Sequence, residues 1–294
     1  MKKTLMFSLL VVLFCFGCTQ QNARQLRVMS FNIWVGGGHS IARTAAVIVE
    51  SGADIVGIQE PNRGNFKTAI HIADSLGWYS HESGAILSKY PITEVSKSGR
   101  GVKIDIGNHK YVWVFNVHLR YCPYEPYQLN GKKYCGASLL QTADEAVASA
   151  WASRGEVILG CIDEITAAKQ DKIPVFLTGD FNEPSCLDWT ERAVTAGLCK
   201  MPVAWPATKN LQEKAGMKDS YRTVYPDEVK NPGHTWTSLP VNDIMDRIDF
   251  VFFGGDGVQV VNSEIIGEIS PKSDKGMEEY PSDHRAVLST FMLK

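Results

Sequence analysis

The chain has 294 residues, 44% of them hydrophobic and 21% charged, with 30 basic against 32 acidic side chains and a formal charge of −2. That length and apolar content suit one large α/β domain with a sizeable core. The slightly acidic balance excludes the electrostatic footprint of tight, non-specific nucleic-acid binding.

Residues 1–17 read as a signal peptide: Lys2-Lys3 form a positive start, Leu5 to Phe16 an apolar run too short to span a bilayer, and Gly17-Cys18 a small-residue junction. A Cys directly after the cleavage point suggests lipidation of Cys18, as in a bacterial lipoprotein; an ordinary secretory signal with an incidental Cys is the alternative. Either way the protein is expected to leave the cytoplasm, as a periplasmic or outer-membrane-anchored species that meets a membrane through its lipid alone. Removing the two leader lysines leaves 28 basic against 32 acidic residues, a formal charge of −4. After a tether over 18–25, one domain over 26–294 is expected, with no repeat or linker, and a monomer.

In chain order, Arg27 to Asn32 reads as a first strand, broken by Gly36-Gly37-Gly38, and Ile41 to Glu50 has helical spacing. Asp54 to Gln59 is a short buried strand closed by Glu60-Pro61, and Phe66 to Leu76 is an amphipathic helix. Ala85 to Ser88 and Val102 to Ile106 look like strands, and Tyr111 to Leu119 is an alternating one. Arg120 to Ala137 is an aromatic loop, and Leu139 to Ala168 is the longest helical stretch, with a break expected at Arg154-Gly155. Ile173 to Leu177 is a buried strand, and Pro184 to Pro240 is irregular. Arg247 to Phe253 and Ala286 to Met292 close the chain. So many strands, several close enough for hairpins, point to two packed, mostly antiparallel sheets with helices outside.

Five cysteines remain in the mature body, none with zinc-type spacing. In an oxidising compartment the expected disulfide is Cys122–Cys135; Cys186–Cys199 is open as a second, and Cys161 is expected unpaired on a helix face.

Polar groups recur where the apolar runs end. Asn32, Glu60 and His118 end three of them; Asp180 and Asn182, two apart and so on one strand face, end a fourth. Asp249 lies within Arg247 to Val251, and Asp283-His284 precedes the last strand. Each alone has an ordinary reading: turn residues at Asn32 and Gly179-Asp180, a helix-capping Glu60, a core His118, an Asp249 paired with Arg247, a polar loop at Ser282 to His284. Their joint occurrence is hard to attribute to turns.

With these residues the chain resembles the endonuclease/exonuclease/phosphatase superfamily, which includes pancreatic-type deoxyribonuclease, exonuclease-type AP endonucleases, neutral sphingomyelinases and inositol polyphosphate 5-phosphatases. The matching pieces are Ser30-Phe31-Asn32-Ile33-Trp34, Ile58-Gln59-Glu60, Asn116-Val117-His118-Leu119, Gly179-Asp180-Phe181-Asn182, Asp246-Arg247-Ile248-Asp249-Phe250 and Ser282-Asp283-His284, in family order from Ser30 to His284. The resemblance implies a four-layer α/β/β/α sandwich and metal-dependent phosphoester hydrolysis. Glu60, with Asn32 and Asp283, would offer the hard ligands that Mg²⁺ or Mn²⁺ prefers. Asp180 would orient or deprotonate the attacking water, Asn182 would donate to the phosphoryl oxygen, and His118 would bind phosphate or assist the leaving oxygen. Asp249 would hold His284 in its working tautomer. The base is either Asp180 or His284.

The 5-phosphatase lead-in is absent, since Val241 to Met245 precedes Asp246, and so are the basic loops of AP endonucleases. An aromatic, mildly basic rim takes their place: Arg120-Tyr121, Tyr124, Tyr127 and Lys132-Lys133 in the disulfide loop, with Arg222, His234-Thr235-Trp236 and Asp188-Trp189 further on. Arg120, Tyr121, Arg222 and His234 are the expected substrate contacts, although packing accounts for most of the aromatics. The expected substrate is a small phosphorylated molecule or a lipid headgroup, and nucleic acid is disfavoured. A secreted deoxyribonuclease-type endonuclease and a non-catalytic phosphoester-binding lipoprotein are the alternatives.

Overall fold

A computed structural model describes residues 24–240 and 244–294. The expected signal peptide and lipidated Cys18 lie outside the described residues. The strands are β1 (Arg24–Asn32), β2 (Ile55–Gln59), β3 (Tyr79–His81), β4 (Ile86–Ser88), β5 (Ile92–Val95), β6 (Gly101–Gly107), β7 (Lys110–His118), β8 (Val175–Asp180), β9 (Lys218–Asp219), β10 (Asp249–Gly254), β11 (Val258–Glu268), β12 (Lys275–Met277) and β13 (Ala286–Leu293). The helical segments are α1 (Trp34–Gly37), α2 (Ile41–Ser51), α3 (Thr68–Leu76), α4 (Glu125–Leu129), α5 (Ala143–Ala168), α6 (Glu191–Thr195), α7 (Pro206–Ala215) and α8 (Ser220–Val224).

The strands form two sheets, ordered β12-β11-β13-β1-β2-β4-β3 and β5-β6-β7-β8-β10-β9. Most pairings are antiparallel; the parallel ones are β1 with β2, β7 with β8 and β11 with β12. Period-two alternation builds the layers. On β1, Leu26 and Val28 face the other sheet and pack with Val114, Phe176 and Val251. Met29 and Phe31 point outward to Val47 and Ile48 of α2 and Ile72 of α3. Phe115, Leu177 and Phe252 of the second sheet meet Ile158 and Ile165 of α5 and Leu211 of α7. The result is the expected α/β/β/α sandwich.

Between the sheets the core changes character along the strands. Beyond the apolar layer at Val28 and Phe176 comes a buried polar layer: Gln59 Nε2 donates to Asn116 Oδ1 (2.7 Å) and Ser30 Oγ (3.2 Å), and Thr178 Oγ1 donates to Asn116 Oδ1 (2.9 Å). Gly57 makes this approach possible, because a Cβ there would stand 1.9 Å from Thr178 Oγ1. One step further along the same faces come Asn32, Asp180 and Asp249, with Asp180 paired across the sheet to both His118 and Asp249.

Three expectations are corrected. The helix over Leu139 to Ala168 starts at Ala143, behind a Thr142–Glu145 capping box, and runs unbroken through Arg154-Gly155. Arg154 is held by an ion pair with Glu125, which fixes that turn rather than breaking it. The region from Pro184 to Pro240 carries α6, α7 and α8 instead of being irregular throughout. The first strand begins at Arg24, within the expected tether, because Arg24 already pairs with Leu293. Cys122 and Cys135 are joined, while Cys161, Cys186 and Cys199 are free. No helix among the described residues is long and apolar enough to cross a membrane.

Candidate active site

The strand ends open into a cleft of about 340 Å³ lined by Glu60, His118, Asp180, Asn182, Asp283 and His284, with an aromatic wall opposite. The six groups arrive from four strand ends: Glu60 after β2, His118 from β7, Asp180 and Asn182 at the end of β8, and Asp283-His284 ahead of β13. Backbone strain gathers here: Trp34, Val35, Glu60 and Asn182 line the cleft, and all four hold left-handed φ between 46° and 54°. For a β-branched Val and a bulky Trp that conformation is costly, and such residues persist where surroundings hold them for function.

Asp180 is the hub. Its Oδ1 accepts from the Asn182 N–H (2.8 Å) and its Oδ2 from Asn32 Nδ2 (2.9 Å); His118 Nε2 and His284 Nε2 stand 3.5 and 3.7 Å from Oδ2. Asn182 also donates from Nδ2 to Leu119 O (3.1 Å), which leaves its second amide hydrogen for another acceptor. His284 Nδ1 lies 2.9 Å from Asp249 Oδ2, and the Trp236 ring leans on the imidazole at 4.9 Å. Burial opposes a charge on His284, but the Asp249 and Asp180 carboxylates outweigh it and push the imidazole up to about 10. Burial pushes Asp249 up as well, so the pair shares a proton carried mainly by the imidazole between two carboxylates. Asp249 therefore serves His284; Arg247 is held by Asp188 (2.9 Å) and Asp219 (2.8 Å) instead.

Glu60 and Asp283 form the acidic side. Glu60 Oε2 accepts from the Val35 N–H, and Asn32 Nδ2 reaches Glu60 Oε1 at 3.4 Å. Asn32 Oδ1 is taken by the Trp34 N–H, so its amide ties Glu60 to Asp180. Asp283 Oδ1 is buried with no hydrogen-bond partner, and burial, with repulsion from Glu60, pushes this carboxyl up to about 6. An unpartnered carboxylate oxygen beside a second carboxylate fits a hard divalent cation. Asp180, Asp249 and His284 also bring one ligand atom each within 4.8 Å of one another, a group that could take a metal ion only if the imidazole gave up its second proton.

The four expected substrate contacts separate. Tyr121 lines the cleft. Arg120 does not: it is exposed beyond the end of β7, and its carbonyl accepts from Arg154 Nε. Arg222 is buried in the fold, donating to Asp188 Oδ1 (2.6 Å) and to the carbonyls of Tyr225, Asn231 and Pro232. His234 lines a separate small cavity beside Arg222, where burial lowers its pKa to about 4. Neither of the two lines the catalytic cleft. Trp189 likewise packs edge-on against Trp205. Trp34, Val35, Tyr134 and Ile248 line the cleft without having been singled out as contacts. Trp34 and Ile248 sit inside the quoted motifs, and that adjacency is the signal that pointed to them.

A sequence model of the Endonuclease/Exonuclease/phosphatase family matches residues 29–284. An uncharacterized protein of Caenorhabditis elegans is 29% identical over 98% of both chains. Among solved structures, an AP endonuclease from Archaeoglobus fulgidus superposes with a TM-score of 0.57 at 14% identity, covering 90% of this chain and 98% of that one. The human Nocturnin catalytic domain, solved with a bound sulfate anion, gives 0.54 at 14% identity over 92% and 95%. At these identities the structural likenesses speak for the fold.

Proposed function

The chain belongs to the endonuclease/exonuclease/phosphatase family, and we propose that it is a Mg²⁺- or Mn²⁺-dependent hydrolase of a small or lipid-linked phosphoester. The observation that carries this reading is the meeting, in one cleft, of Glu60 and the unpartnered Asp283 Oδ1 with His284, whose imidazole stands between Asp249 (2.9 Å) and Asp180 (3.7 Å). Glu60 and Asp283 would hold the cation, which supplies neutralisation of phosphate oxygens. Asn32 fixes Glu60 and Asp180 relative to each other.

The protein groups divide the remaining work. Asp180 takes the proton of a water whose oxygen bonds to phosphorus, while the ester P–O bond breaks. The free amide hydrogen of Asn182 and the His284 imidazolium meet the charge on the phosphoryl oxygens. His118, partly open to solvent at 3.5 Å from Asp180, gives a proton to the departing alkoxide. Among the described residues Lys132 is the one Lys or Arg lining the cleft, a poor match to a polyanion, and this favours a small ester over DNA. The leader sequence supports export as a lipoprotein, acting as a monomer outside the cytoplasm.

The test is phosphate release from a panel of small mono- and diesters against nicking of plasmid DNA. Release should stop with EDTA and return with Mg²⁺ or Mn²⁺. Nicking without turnover of any small ester would instead support a secreted endonuclease. Ester binding without metal-dependent hydrolysis of any class would support a non-catalytic binding protein.

A further inference from the structure

The wall opposite the catalytic groups has its own chemistry. Six of the residues that line the cleft are Trp or Tyr, whereas its aliphatic lining among the described residues is Val35 and Ile248. The rings form a continuous series that starts at the catalytic imidazole. Trp236 leans on His284 at 4.9 Å and donates Nε1 to the Tyr127 hydroxyl at 3.2 Å. Tyr127 meets Tyr134 edge-on at 5.4 Å and 88°, and Tyr134 meets Tyr121 at 6.5 Å and 69° at the rim.

This wall is anchored. Tyr124, edge-on to Tyr127 at 4.8 Å, donates its hydroxyl to Asp246 Oδ2 at 2.7 Å. The Lys132 ammonium covers the Tyr127 ring at 3.8 Å from its centroid. The loop is closed by Cys122–Cys135 and held at its base by the fully buried Glu125–Arg154 pair. Arg154 also donates to the carbonyls of Arg120 and Pro123. Preorganised rings of this kind are a binding surface for another flat face, where offset or edge-to-face contacts add to burial. An acyl chain gains little there, since its best lining is aliphatic and conformable.

Resting on the phosphoesterase reading, we infer that the alcohol side of the substrate carries a ring with a flat face, seated against Tyr134 and Tyr121, with Tyr127 behind them, while the phosphoryl group lies at Asp180 and His284. The substrates are then phosphoesters of ring-bearing small molecules, with an aromatic ring or the C–H face of a sugar against the tyrosines, and not of acyl lipids.

The experiment compares benzyl, glucosyl and n-hexyl phosphate, each as monoester and methyl diester, with Mg²⁺ on the full chain, in wild type, Tyr121→Ala and Tyr134→Leu. Tyr121 is 59% exposed, so its substitution leaves folding intact. Ring esters should exceed the hexyl ester about tenfold in kcat/KM, and both substitutions should shrink that ratio through KM. Benzyl against glucosyl esters separates the two ring sources. Equal turnover of ring and hexyl esters, or a ratio indifferent to both substitutions, overturns the inference and leaves the phosphoesterase reading standing. Calorimetry with benzyl- and hexylphosphonate, which cannot be hydrolysed, reads the ring site without turnover. Tighter benzyl binding in a protein that cleaves nothing supports the ring site and removes the hydrolase reading; equal binding removes the ring site.

Discussion

Asp249 lies behind the cleft wall and works through the imidazole it holds. Its carboxylate at 2.9 Å accepts from His284 Nδ1, which orients the ring, and with Asp180 favours its charged form. Asp249→Asn keeps the size and one acceptor but loses the charge that favours imidazolium. It should lower kcat by roughly 10²–10⁴-fold with KM little changed, the size expected for a lost acid–base or charge-stabilising group. Steady-state kinetics beside a urea unfolding curve checks this: a parallel fall in stability, or a loss carried by KM, would make Asp249 a packing residue. Asp180→Asn should cost as much, because it removes the carboxylate that both imidazoles face. The sequence made these residues legible because a carboxylate, amide or imidazole at the end of an apolar run is a local pattern. It did not make Arg222 and His234 legible as lying outside the cleft, because nothing local shows that Asp188 waits for the guanidinium or that burial keeps the imidazole neutral.

Helix α5 shows what long-range contact adds to local pattern. Arg154-Gly155 reads as a break, since glycine is a weak helix former and a mid-helix Arg belongs on a wet face. The structure runs the helix through, because Arg154 meets Glu125 at 2.8 Å with both side chains fully buried. Strands β3, β5, β9, β11 and β12 went unread for related reasons. Four are four residues or shorter, and β11 changes register between Val260 and Asn262, which breaks its alternation. Arg154→Met leaves Glu125 buried and unpaired, so it should destabilise the protein by about 3–5 kcal/mol. Because Arg154 also anchors the loop at Arg120 and Pro123, the aromatic wall should loosen with it. Arg154→Met combined with Glu125→Met removes both charges and should recover part of that loss in urea unfolding. A double variant no more stable than the single one would show that the charge on Glu125 is not what the pair compensates.

At the scale of the molecule, Glu183 connects the catalytic tetrad to the packing of the region after it. It directly follows Asn182, and its Oε1 accepts the Ala207 N–H at 2.7 Å in the first turn of α7. Its Oε2 is buried without a partner. Burial pushes this carboxyl from 4.5 up to about 8, against the pull of Arg154 and the Ala207 N–H. A carboxyl raised by folding binds its proton more tightly in the native state than in the unfolded chain. Its contribution is complete below pH 4.5 and is lost as pH rises through about 8. Across that window stability should fall with pH by up to about 1.4 kcal/mol per unit from this group alone, other groups adding their own slopes. Glu183→Gln cannot titrate and still offers an oxygen to Ala207. Urea unfolding of both proteins at pH 5, 6.5 and 8 should therefore show a shallower decline in the variant, with the gap widening toward pH 8. Parallel curves would mean that Glu183 is ionised in the fold, and that its charge is balanced by Arg154 rather than removed by a proton. The acidic balance, legible from composition alone, says nothing about this dependence, because it arises where the tetrad, α5 and α7 close on one carboxyl.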